Sequence, residues 1–115
     1  MIYGTEYRSG IIYEANEDWT EYEVIGYESR IYDSDTLYIY DDVNGIPVTQ
    51  VRESCCQGPN HYIFIHIGEN IKYIGAHAFE HNNFNTVNIP GNVEYVGDYA
   101  FANNSLSTIN IQNGV

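Results

Sequence analysis

Between Ile67 and Ile111 the apolar positions recur at a constant spacing of 22 residues. Ile67 matches Ile89, Ile71 matches Val93, Ile74 matches Val96, and Ala78-Phe79 matches Ala100-Phe101. Phe84, Val87 and Ile89 then match Leu106, Ile109 and Ile111. Small and polar positions repeat with them: Gly75 with Gly97, Tyr73 with Tyr95, Asn82 with Asn104. A fixed period of this length marks a solenoid, because one unit cannot bury its apolar side alone and stacked neighbours can.

Inside one unit two rhythms alternate. Val87 and Ile89 are separated by polar Asn88 and preceded by Thr86, the period of a strand with one buried face. Ile71 and Ile74 frame a second short extended piece ending at Gly75, where glycine suits a positive φ or a close approach to the next coil. Ala-x-Ala-Phe is too short for a free helix, so one or two helical or 3₁₀ turns are expected there. Asn82-Asn83 and Asn103-Asn104 should turn the chain, since asparagine tolerates left-handed backbone. If Val87 and Ile89 point inward, two outward ladders follow across one sheet: Tyr38, Phe64, Thr86, Thr108 and Tyr40, His66, Asn88, Asn110. Their aromatic end carries side chains favoured in binding hot spots, and these eight residues are the candidate partner-binding set. Tyr73 and Tyr95, with Gln50 near the equivalent place, make a weaker second ladder.

The stretch Ile89-Pro-x-x-Val93-x-x-Val96-Gly97-x-x-Ala100-Phe101 resembles the BspA-like leucine-rich repeat, and residues 67–79 resemble it with Gly68 in place of proline. The resemblance implies a β-rich right-handed solenoid, with short strands joined by 3₁₀ or helical turns. It also implies adhesion or protein recognition at a cell surface or after secretion, and it carries no catalytic residues. Asp41 to Val51 is similar to the family's longer opening, with a turn at Asn44-Gly45. Residues 37–66 then form a divergent unit in which Val51 aligns with Ile74, Arg52 replaces the glycine, and Cys55-Cys56 replaces Ala-Phe. Units at 67–88 and 89–110 follow, and residues 111–115 begin another, with Val115 aligned on Val93.

Residues 1–36 read as an N-terminal β-hairpin cap. Ile11 to Tyr13 and Tyr22 to Ile25 are strand-like, with Asn16-Glu17-Asp18 as the loop between them. Eight of the 12 tyrosines lie in residues 1–40. Their rings can cover the first coil while their hydroxyls stay wet. No cap follows the last unit, so its apolar edge invites either more repeats or a second copy of the chain.

Charge narrows the partners. The net value is −12, from 4 Lys+Arg against 16 Asp+Glu. Direct nucleic-acid binding and attachment to anionic lipid are disfavoured; the charge would suit a basic protein surface, with an ordinary solvated, solubilising face as the alternative reading. The charge is uneven: residues 1–53 hold 12 acids and 3 cations, residues 54–115 hold 4 and 1. No apolar run reaches bilayer length, and the first ten residues lack the pattern of a signal peptide, so a cytoplasmic setting also stays open.

No catalytic constellation, metal site or cofactor is expected. Cys55, Cys56, His61 and His66 are zinc-type ligands, but adjacent cysteines seldom share one tetrahedral ion. Buried thiols are the expected state, with a vicinal disulfide as the alternative. Asp33, Asp35, Asp41 and Asp42 lack the calcium-loop pattern. Asn103-Asn104-Ser105 matches a glycosylation sequon. The sequence therefore points to a non-enzymatic recognition module binding a protein or glycan across its strand face. The competing reading is a small acidic inhibitor that blocks a basic, nucleic-acid-binding site, as a homodimer closed through its last coils.

Overall fold

In a computed structural model the chain is described over residues 4–28, 35–60 and 62–112. Tyr3, Tyr32, Asp33, His61 and the start of a further unit at 113–115 lie outside those residues. Among the described residues, eleven short strands build the fold: β1 (Thr5–Arg8), β2 (Ile11–Ala15), β3 (Tyr22–Tyr27), β4 (Thr36–Tyr38), β5 (Asp42–Val43), β6 (Ile46–Val51), β7 (Phe64–His66), β8 (Tyr73–Ile74), β9 (Thr86–Ile89), β10 (Tyr95–Val96) and β11 (Thr108–Ile111).

They form two sheets on opposite walls of a β-solenoid. The long sheet runs β1-β2-β3-β6-β8-β10, with β5 hairpinned onto β6; the short sheet runs β4-β7-β9-β11. The repeat dictates this. Each unit supplies one strand to each wall, so like strands from successive units lie parallel and in register: Tyr95 opposite Tyr73, Val96 opposite Ile74, Val87 opposite Ile109.

The third wall, where Ala-x-Ala-Phe lies, contains hydrogen-bonded turns and no helix among the described residues. The N–H groups of Ala78, Glu80 and Ala100 close turns on carbonyls three residues back, and the alternate N–H groups between them point along the solenoid axis. Those of His77, Phe79 and His81 donate to the carbonyls of Asp98, Ala100 and Ala102. Those of Ser54, Cys56 and Gly58 donate in the same way to Ala76, Ala78 and Glu80. This needs a left-handed residue at a fixed place in each coil, and Ser54, His77 and Tyr99 take it, with φ of 56°, 58° and 60°. The asparagine expectation therefore holds for Asn103 (φ 56°) but fails for Asn82, where His81 (φ 63°) turns the chain instead.

Asn82 has another task. Buried beneath the turn, its amide donates to the carbonyls of Cys56 (2.9 Å) and Phe79 (3.0 Å), and its Oδ1 accepts from Asn60 (2.8 Å). Asn104 repeats the role one coil on, donating to Phe79 and Phe101. Gly75 is required by proximity rather than by φ: a Cβ there would stand 2.5 Å from the backbone nitrogen of Glu53.

The interior is one continuous core in which Ile71, Ile74, Phe79, Phe84, Val87 and Ile89 meet Val48, Val51, Tyr62 and Ile65. Phe79 and Phe101 stack with centroids 5.3 Å apart. Cys56 takes the matching place one coil earlier, fully buried, and both cysteines are free thiols. The hydrogen bond with Cys55, with burial second, pushes the Cys56 thiol well above its ordinary range, so it is held uncharged.

At the N-terminal end, β1, β2 and β3 form an antiparallel meander whose last strand pairs parallel with β6. Asn16 starts the β2–β3 loop and fixes it, its Oδ1 accepting from the N–H groups of Thr20 and Glu21. Asn44 and Gly45, both at positive φ, make the tight turn between β5 and β6. Tyr13 and Tyr22 are buried to the hydroxyl, contrary to the expectation of wet phenols. Tyr13 Oη accepts from the backbone N–H of Tyr40 (3.1 Å), and burial drives its ionisation upward. At the other end the last coil lies open, with Val96, Ile109 and Ile111 exposed where Ile74, Val87 and Ile89 are buried one coil earlier.

Candidate functional site

The outer face of the short sheet is where the sequence placed its ladders. Alternation holds: in β9, Val87 and Ile89 are buried, Thr86 is half-buried and Asn88 is exposed. The rows differ from the expected ones in the first unit. Thr36, not Tyr38, lies opposite Phe64, and Tyr38 lies opposite His66. The true first row is Thr36, Phe64, Thr86, Thr108. The second consists of Tyr38 beside His66 and, further along, Asn88 beside Asn110.

Tyr40 leaves the strand altogether. Its hydroxyl bonds to Ser9 Oγ (3.0 Å) and its ring meets those of Tyr13 and Tyr38 edge-on. It supports the face from behind. The signal that identifies Thr36 was present, since buried Leu37 and Ile39 match buried Ile65 and Ile67 at a spacing of 28 residues, which sends Thr36 and Tyr38 outward.

On this face Tyr38 and Phe64 are 42% and 48% exposed. Tyr38 stacks on the His66 imidazole, with centroids 4.2 Å apart and planes 13° from parallel. Asn110 donates to Asn88 Oδ1 at 2.7 Å, so the amides form a short ladder of their own. Strands β7 and β9 pair in register only at Phe64 and Thr86. Beyond that point a shallow cleft of about 160 Å³ opens, bordered by His66, Glu69, Asn88, Pro90 and Gln112. The face thus offers an aromatic end and an amide end, with no lysine or arginine on either row.

The long sheet carries a second lateral row. Glu14 lies opposite Glu23, Glu23 opposite Gln50, Gln50 opposite Tyr73 and Tyr73 opposite Tyr95. The sequence showed its last three members; the two glutamates join it only because β3 docks parallel on β6. Arg52 holds both carboxylates, at 3.3 Å from Glu14 and 2.8 Å from Glu23. The hydrogen bond to Glu23 is the main reason its guanidinium is held more firmly protonated than usual.

Among the described residues, no three metal-ligating side chains converge, and no helix is long and apolar enough to cross a membrane.

Residues 48–115 match the family model described as the BspA-type leucine-rich repeat region (6 copies). No curated protein matches the chain. Among solved structures, a leucine-rich repeat protein from Bacteroides capillosus aligns over 95% of this chain and 99% of its own, with a TM-score of 0.60 at 20% identity. The leucine-rich repeat protein of T. pallidum aligns over 90% of this chain and 70% of its own, with a TM-score of 0.49 at 13% identity.

Proposed function

Because this chain belongs to the BspA-type leucine-rich repeat family, we propose that it is a non-enzymatic recognition module that grips a protein partner across the outer face of its short sheet, in a surface-exposed or secreted setting. The contact residues of this reading are Tyr38, Phe64, His66, Thr86, Asn88, Thr108 and Asn110, with Tyr40 bracing Tyr38. The observation that carries it is the exposed aromatic pair Tyr38 and Phe64, held at the edge of a rigid, in-register strand face. Large rings with few rotatable bonds lose little entropy on binding and anchor interfaces. Residues 1–36 serve as the cap in this reading.

The test pairs the wild-type chain with a Tyr38→Ala/Phe64→Ala variant and measures both against an array of displayed extracellular proteins. A partner that binds the wild type and loses at least tenfold in affinity with the variant, at unchanged unfolding midpoint, supports the face. A partner indifferent to both substitutions places recognition elsewhere.

A further inference from the structure

The short-sheet face leaves unused a second lateral row, Glu14, Glu23, Gln50, Tyr73, Tyr95, on the long sheet. We propose that this row is a second docking surface, and that its occupant is an extended, arginine- or lysine-rich segment of a partner protein.

Three observations lead there. First, the row is continuous: five side chains on five adjacent strands, spanning about 19 Å at the usual spacing between strands. An extended segment of about six residues covers that distance. Second, its free half is aromatic. Tyr73 and Tyr95 are 44% and 57% exposed and stand side by side in parallel register, where rings attract cations. Glu94 adds a carboxylate beside Tyr73, whose hydroxyl reaches it at 3.5 Å. Third, the other half already holds a guanidinium. Arg52 lies on Glu14 and Glu23 as an internal example of the group this surface accepts. The net charge of −12 draws a cationic segment toward the molecule, and the row fixes where it lands. The same net charge disfavours anionic occupants.

This inference is independent of the short-sheet reading, and one experiment separates them. An eight-residue Arg-Gly repeat peptide, fluorescently labelled, is titrated with the protein in low salt and again at 0.15 M salt. Tyr73→Ala/Tyr95→Ala is expected to weaken binding about tenfold. Tyr73→Phe/Tyr95→Phe, which keeps the rings, is expected to stay within about threefold of wild type. Asp42→Asn/Glu69→Gln removes two exposed acids away from the row and is expected to change affinity less than twofold. Circular dichroism confirms that each variant is folded. The proposal is overturned if the Asp42/Glu69 variant loses as much as the double alanine, which means net charge alone attracts the peptide. It is overturned equally if the double alanine binds like wild type, or if Tyr38→Ala/Phe64→Ala abolishes binding while the row variants do not.

Discussion

The side chain of Asn82 reaches back one coil and donates to the main-chain carbonyl of Cys56, at 2.9 Å. The same amide donates to Phe79, inside its own turn. One buried side chain therefore ties the turn of its own coil to the coil before it. Asn82→Ala strips hydrogens from two carbonyls where water has little access. The expected loss is about 2–4 kcal/mol of unfolding free energy, read from the urea midpoint. Asn104→Ala, nearer the open end and solvent, should cost about half as much.

Phe79 and Phe101 occupy equivalent positions but are not equally covered: Phe79 is fully buried and Phe101 is half-buried. Phe79→Ala should destabilise by about 3–5 kcal/mol, the usual cost of an aromatic-sized cavity. Phe101→Ala should cost clearly less, since solvent fills part of the space. Thermal unfolding of the two variants side by side measures the difference.

The carboxylate of Glu80 accepts from the His77 ring at 2.9 Å and from Gln57 at 3.0 Å. The His77 bond is the main cause that lowers its ionisation below the ordinary carboxylate value. A carboxylate whose folded value is depressed stabilises the fold above its unfolded value, about 4.3. That contribution fades as pH falls through the folded value. Glu80→Gln should therefore narrow its stability gap from wild type on acidification from pH 6 to pH 3. Urea unfolding at several pH values checks the convergence.

Ile109 and Ile111, 51% and 65% exposed, sit on β11, the outermost strand of the short sheet. An uncharged apolar edge pairs readily with other chains. The 115-residue chain should show concentration-dependent association by sedimentation. Ile109→Lys/Ile111→Lys should suppress it while leaving the earlier coils folded.

Much of this fold was legible in the 22-residue period. The period alone placed Phe79 over Phe101, paired Val87 with Ile109, and sent Asn88 and Asn110 to one face. Register failed where the period failed. Strands β4 and β7 are 28 residues apart, so a ladder extended from the regular units put Tyr38 two places from its true partner. The turns were expected as helical or 3₁₀, and the 3₁₀ half of that reading fits the bonds of Ala78 to Gly75 and of Glu80 to His77; the coil-to-coil bonds between them were not foreseen. Local propensity asks which N–H meets a carbonyl further back in the same chain. Here the N–H groups of His77, Phe79 and His81 all look to the next coil. Nor did spacing predict that Glu14 and Glu23 would join the tyrosine row, because that depends on β3 docking parallel on β6.

In the repeat units, each of the three walls contributes hydrogen bonds that run from coil to coil, which makes the molecule mechanically anisotropic. Tension applied along the axis loads those bonds a few at a time, so coils would peel away in sequence at low force. Tension applied across the axis loads many bonds in shear at once. A partner pulling across a strand face would thus meet far greater resistance than one pulling along the axis.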